Sequence, residues 1–228
     1  DGHRWIQWRQ LPHQVDEVDP AVGPELTFIA DLPGHSTATY YVYYSPADNA
    51  GLEKGVRFSF PAQLEGARKE NQPDTIFARR TGTAEDWVPP NIGWESNRCA
   101  YRAYWGQFDF FGKQTEQLIY DGIGARSYHT EVEWGIDALH VGTTSGIGGL
   151  TLYVDGKAWP VRNPAGKGDV KFTKRQLVSG PVRAAVEITA SNIVPDDPEL
   201  TVRMICIIHA ERQETEVRTA VTGGQGEA

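Results

Sequence analysis

Between residues 182 and 221 the chain runs through three long stretches rich in β-branched residues, Val182–Ser191, Leu200–Ala210 and Glu214–Val221, with turn residues such as Pro195-Asp-Asp-Pro198 between them. This spacing leaves no room for the crossover helices that parallel strands need, so the segments must pair antiparallel. Upstream, Gly149–Val154 and Lys157–Val161 flank Asp155-Gly156, a strong two-residue hairpin signal. Further strands are expected at Arg98–Trp105, Phe108–Phe111, Gln117–Tyr120, Tyr128–Trp134, Ala138–Val141 and Gln176–Val178. The fold class read from this pattern is all-β, a large antiparallel β-sandwich over residues 94–228.

The preceding residues read differently. Residues 1–60 form a small N-terminal β unit in which Glu25–Asp31 and Thr37–Tyr44 make a hairpin around Leu32-Pro-Gly-His35, with a further short strand at Val56–Phe60. Residues 61–93 are polar, charged and proline-containing, and read as a linker or long surface loop with a short helix at Ala62–Lys69.

The net charge is −8, which disfavours nucleic acid as a partner because phosphate binding needs a basic face. A small anionic ligand held by two or three arginines remains compatible with it. No apolar run reaches the length of a membrane span. The two cysteines, Cys99 and Cys206, allow one disulfide and leave the redox compartment open. A chain that begins at Asp1 reads as one from which a leader has been removed, or as a fragment. The oligomeric state is open.

Chemistry concentrates between residues 94 and 149. If Tyr128–Trp134 is a flat strand, His129, Glu131 and Glu133 share one face, a set suited to acid–base work, and Tyr128 points to the other. The competing reading is the solvated face of a half-buried strand. Asp137 in Trp134-Gly-Ile-Asp137 could fix the tautomer of a histidine, with His140 nearby, or could cap a turn. The glycine-rich Val141–Gly149 lacks the lysine and the following helix of a phosphate loop, and fits a tight loop approaching a ligand or a neighbouring strand. Trp94, Arg98, Tyr101, Arg102, Tyr104, Trp105 and Arg126 could stack sugar rings and grip a uronate carboxylate, unless the aromatics are core. No cofactor is expected and no metal site is assigned. Asp16, Asp19 and Glu25 could hold calcium, but their spacing does not fit the calcium-loop pattern.

Several of these segments resemble a bacterial family described as domain of unknown function 4861: Leu11-Pro-His-Gln-Val-Asp16 with Pro24–Pro33, Glu95-Ser-Asn-Arg-Cys-Ala-Tyr-Arg102, Tyr128-His129, Trp134-Gly-Ile-Asp137, Val141-Gly142 with Gly146–Gly149, and Ser179-Gly-Pro-Val-Arg183. The resemblance implies a secreted or periplasmic protein of polysaccharide-utilisation systems with a galactose-mutarotase-like supersandwich. It also implies that the chain is shorter than its relatives at both ends, so the sandwich is incomplete. The expected function is action on acidic, uronate-containing polysaccharides or oligosaccharides, as a lyase or glycoside hydrolase. A non-catalytic carbohydrate-binding module and a mutarotase-type epimerase are the alternatives. In the lyase reading His129 is the base and Tyr128 the acid, Arg102 and Arg126 neutralise the substrate carboxylate, and Trp94, Trp105, Trp134, Tyr101 and His140 bind substrate. In the hydrolase reading Glu131 and Asp137 are the acid–base pair.

Overall fold

The structure is a computed structural model that describes residues 11–42, 80–85, 92–120, 129–164 and 167–224. The expected strand at Val56–Phe60 and helix at Ala62–Lys69 lie outside these residues, as do Tyr128 and Arg126. The described residues build thirteen strands: β1 (His13–Asp16), β2 (Glu25–Phe28), β3 (Thr81–Glu85), β4 (Ile92–Ser96), β5 (Cys99–Tyr104), β6 (Gln107–Lys113), β7 (Gly135–Asp137), β8 (Thr151–Val154), β9 (Lys157–Pro160), β10 (Lys171–Ser179), β11 (Arg183–Ser191), β12 (Thr201–His209) and β13 (Thr215–Thr222). No helix among them is long and apolar enough to cross a membrane.

Two antiparallel sheets form a sandwich. One has the order β10-β11-β12-β13 and the other β3-β4-β5-β6-β7. The period of two along β11 and β12 decides which side chains meet the partner sheet. Ala184, Val186, Ile188 and Ala190 pair in register with Ile208, Cys206, Met204 and Val202, and all eight are buried against Ile92, Trp94, Tyr101, Ala103 and Phe108 of the second sheet. The alternate residues Ala185, Ile205 and Ile207 face the other way and close over Val18 from the N-terminal segment.

That N-terminal unit differs from its sequence reading. β2 pairs with β1, not with residues 37–42, which carry no strand. The β1–β2 hairpin turns its polar side inward. Gln14 Oε1 accepts the Val182 and Arg183 amides at 3.1 Å each, and its Nε2 donates to the Arg183 carbonyl. The buried Arg183 guanidinium binds Asp16 and Glu25. The outward side carries Val15, Leu26 and Phe28, all exposed. β3 falls within the stretch read as a linker and pairs with β4.

The five-stranded sheet is buried on both faces. Its inner face carries the aromatic core, and its outer face carries Glu95, Arg102, Asp109 and Asp137, each 4% exposed or less. Ile119, Tyr120 and Trp134 cover part of that outer face, packing on Phe111. The buried Glu95 carboxylate holds this cover in place. It accepts the Ile119 and Tyr120 amides at 2.8 Å each and pairs with Lys113 Nζ at 3.0 Å. Burial pushes the Glu95 pKa up despite the lysine. Cys99 and Cys206 are buried free thiols, and burial pushes Cys99 up to about 11.

Candidate functional site

The uncovered part of the outer face forms a pocket of about 460 Å³ lined by Arg102, Tyr104, Asp109, His129, Asp137, Leu139, His140, Val141 and Gly142. Each charged residue arrives there through strand register. Arg102 on β5 is the direct partner of Asp109 on β6, and their side chains form a buried ion pair. The guanidinium also lies over the rings of Tyr104 and Phe111, 4.9 and 5.2 Å from their centroids, so its plane is held by aromatic faces as well as by charge. Asp137 on β7 is paired with Phe111, two residues on from Asp109. That places the two carboxyls diagonally on one face, close enough for the Asp137 charge to act on Asp109.

His129 reaches the same place by a tight turn. The expected strand over Tyr128–Trp134 is not formed. Val132 and Gly135 exchange both backbone hydrogen bonds at 3.0 Å, with Glu133 and Trp134 at the turn. The chain therefore doubles back, and His129 meets Asp137 rather than sharing a flat face with Glu131 and Glu133. Gly135 permits this turn because a Cβ there would lie 1.9 Å from the Gly112 carbonyl oxygen, at a φ of +141°. His129 Nδ1 stands 3.0 Å from Asp137 Oδ2. A carboxylate can only accept, so Nδ1 carries the hydrogen and the lone pair sits on Nε2. The Asp137 carboxylate also accepts the Leu139 amide at 3.1 Å. The His140 ring lies edge-on to His129, 5.6 Å between centroids.

Asp109 has the displaced titration in this group. Burial raises its pKa, Arg102 opposes the rise, and the neighbouring Asp137 charge adds to it, leaving Asp109 at about 6.

Among the residues singled out from sequence, the pocket gathers His129, Asp137, Arg102, Tyr104 and His140. Trp94 is fully buried between the sheets, stacked on Tyr101 and donating its indole N–H to Thr215 at 2.9 Å, so no sugar can stack on it. Tyr101 is also core, its hydroxyl bound to the Gln213 carbonyl. Trp105 sits in the β5–β6 turn against Tyr104, and Trp134 packs on Phe111; neither lines the pocket. Glu131 is exposed, 2.5 Å from the Gln114 side-chain amide nitrogen, and outside the pocket lining that holds Asp137. The glycine-rich loop approaches a strand: Gly146 bridges Phe108, where a Cβ would meet the carbonyl oxygen at 1.9 Å, and the buried Gln107 amide donates to the Gly142 and Thr144 carbonyls. Asp16 and Glu25 are bound by Arg183, and Asp19 faces Arg203 at 3.6 Å. Among the described residues no cluster of three histidine, cysteine or carboxylate side chains could hold a metal.

Sequence reasoning passed over Asp109. Its signal was present: one carboxylate inside the aromatic run Phe108-Asp-Phe-Phe111, beside an arginine-bearing strand. Such a residue reads as the solvent side of an alternating strand until the outer face proves covered.

The sequence model of the family described as Domain of unknown function (DUF4861) matches residues 6–228. The chain belongs to this family. No curated protein matches the chain, and no solved structure does. Glu95-Ser96 and Gln14 with Arg183 hold the fold together, Gly135 shapes the turn, and Asp137, His129 and Arg102 line the pocket.

Proposed function

We propose that the pocket is the active site of a carbohydrate-active enzyme that moves protons on a sugar, with His129 as base and Asp137 as the group that orients it. The observation that carries this reading is the position of Asp137, between His129 and Asp109 on the floor of one open pocket. Carbohydrate acid–base chemistry needs a base of near-neutral pKa and an acid that keeps its proton near neutral pH. His129, oriented by Asp137, is placed to take a proton, and the Asp109 carboxyl, lifted to about 6 by burial, is placed to deliver one in mildly acidic medium. Arg102 and Tyr104 add a cation and an aromatic edge for a sugar.

Elimination from a uronate-containing glycan is the first reaction to test. Arg102 would face the substrate carboxylate, which must then share the guanidinium with Asp109. A mutarotase-type epimerase on a supersandwich fold is the second reading. It is favoured by the charge of the pocket, where Arg102 is offset by Asp109 and Asp137, a balance suited to a neutral sugar ring. The secreted or periplasmic location expected from the family resemblance fits either substrate.

The deciding experiment incubates wild type and His129→Ala with a panel of uronate-containing and neutral glycans, reading new double bonds by absorbance, reducing ends, and anomer interconversion by polarimetry. The enzyme reading requires turnover by wild type in one channel, lost in His129→Ala with binding retained. Binding without turnover in any channel would establish a glycan-binding module instead.

A further inference from the structure

We propose that Asp109 is the proton donor that works opposite His129, an assignment that rests on the acid–base reading of this pocket and names its second catalytic residue. Asp109 lines the pocket floor while 1% exposed. Its neighbours come from every element packed around it: Arg102 and Tyr104 from β5, Asp137 from β7, Tyr120 from the covering segment, and His129 across the pocket. Glu95 and Lys113, on the same sheet face, are paired with each other.

The charges left by a proton transfer already have partners here. His129 Nε2 takes a proton from a substrate C–H or O–H. The electrons of that bond form a C=C or C=O bond, and the adjacent C–O bond breaks. The departing oxygen takes the electron pair of that bond and the Asp109 proton. The imidazolium that results faces Asp137, and the new Asp109 carboxylate faces Arg102, so neither charge is left uncompensated in a buried site. Solvent then takes one proton from His129 and returns one to Asp109. Elimination and opening of a cyclic hemiacetal share this electron flow, so the assignment holds for either reaction. The burial that lifts Asp109 to about 6 keeps it protonated in mildly acidic medium.

The test combines a titration and a pH profile. In wild type with carbon-13-labelled aspartate, the Asp109 carboxyl resonance, assigned through bonds to its own backbone, is expected to titrate with a midpoint near 6. A midpoint in the ordinary range, about 4, overturns the assignment and needs no variant. On the substrate found in the glycan panel, Asp109→Asn is expected to lose about 10²–10⁴-fold in kcat and to lose the alkaline limb of the kcat/KM profile, its fold checked by circular dichroism. An active wild type with an Asp109→Asn variant of unchanged rate and limb overturns this assignment alone. A wild type that turns over none of the panel overturns the acid–base reading and this assignment with it.

Discussion

His129 Nδ1 stands 3.0 Å from a carboxylate oxygen of Asp137, a residue whose own side chain is 1% exposed while the histidine is 58% exposed. An exposed ring is thereby tied to a buried acceptor, which sets both its orientation and its tautomer. Asp137→Asn tests the tie. An asparagine can turn its NH₂ toward Nδ1, which moves the imidazole hydrogen to Nε2 and removes the base. The expected result is a loss of about 10²–10⁴-fold in kcat with KM within a few-fold. An unchanged kcat would show that the tautomer is not used.

Asp109 predicts a pH dependence of stability. Its folded pKa, about 6, lies above the ordinary aspartate value of 3.8. The native state therefore holds more protons than the unfolded state between these values, and the stabilising contribution present below 3.8 is lost as pH rises through 6. The loss amounts to roughly 2–3 kcal/mol. Urea midpoints of wild type and Asp109→Asn at steps from pH 4 to pH 7 should diverge in slope, wild type falling with pH more steeply than the variant. Parallel curves would mean that Asp109 titrates normally in the folded protein.

How far the sequence was legible follows from which strand faces are covered. β8–β9 and β11–β13 were readable because their alternation and turns agree with the sheets they form, whereas β10 begins at Lys171, five residues before the strand expected at Gln176–Val178. Residues 37–42 misled because an aromatic, β-branched run satisfies propensity and yet carries no strand. Its place is taken by β1, whose inward residues Gln14 and Asp16 serve Arg183, so the hairpin's polar and apolar sides are reversed from the usual pattern. At the pocket, His129, Asp137, Arg102 and His140 were recoverable as polar residues near a turn. Their meeting was not, because it depends on the 132–135 reversal, and alternation alone argued for a straight strand. Asp109 was lost for the same reason as Glu95: both sit on a sheet face that only the folded chain reveals to be buried.

Gly135 is the hinge of that reversal, and a paired substitution isolates its role. In Gly135→Ala the new methyl would meet the Gly112 carbonyl oxygen at 1.9 Å and occupy a φ of +141°. The expected cost is about 2–4 kcal/mol, with His129 displaced from Asp137 and turnover lost with it. Gly112, on the facing strand, has no atom within 4 Å of an added Cβ, so Gly112→Ala should change stability by no more than about 0.5 kcal/mol. Chemical denaturation of the two variants, measured side by side, checks the contrast. Equal effects would show that the turn tolerates a side chain.

The Glu95–Lys113 pair beneath the cover over the outer face is the structural counterpart of the site, and it should behave as one unit. Both side chains are fully buried, and Lys113 also donates to the Ser96 carbonyl at 2.8 Å. Lys113→Met leaves a buried carboxylate whose remaining donors are the Ile119 and Tyr120 amides. Glu95→Gln leaves a buried ammonium without a counter-charge. Each single change is expected to cost about 3–5 kcal/mol. The double variant should cost less than the sum by about 1–3 kcal/mol, because it removes both charges together. Amide exchange localises the effect: Ile119 and Tyr120, whose N–H groups Glu95 accepts, should lose protection first, loosening the cover while β11 and β12 stay protected. Additive losses, or uniform deprotection of both sheets, would place the pair in the general stability of the sandwich and not in the cover over the outer face.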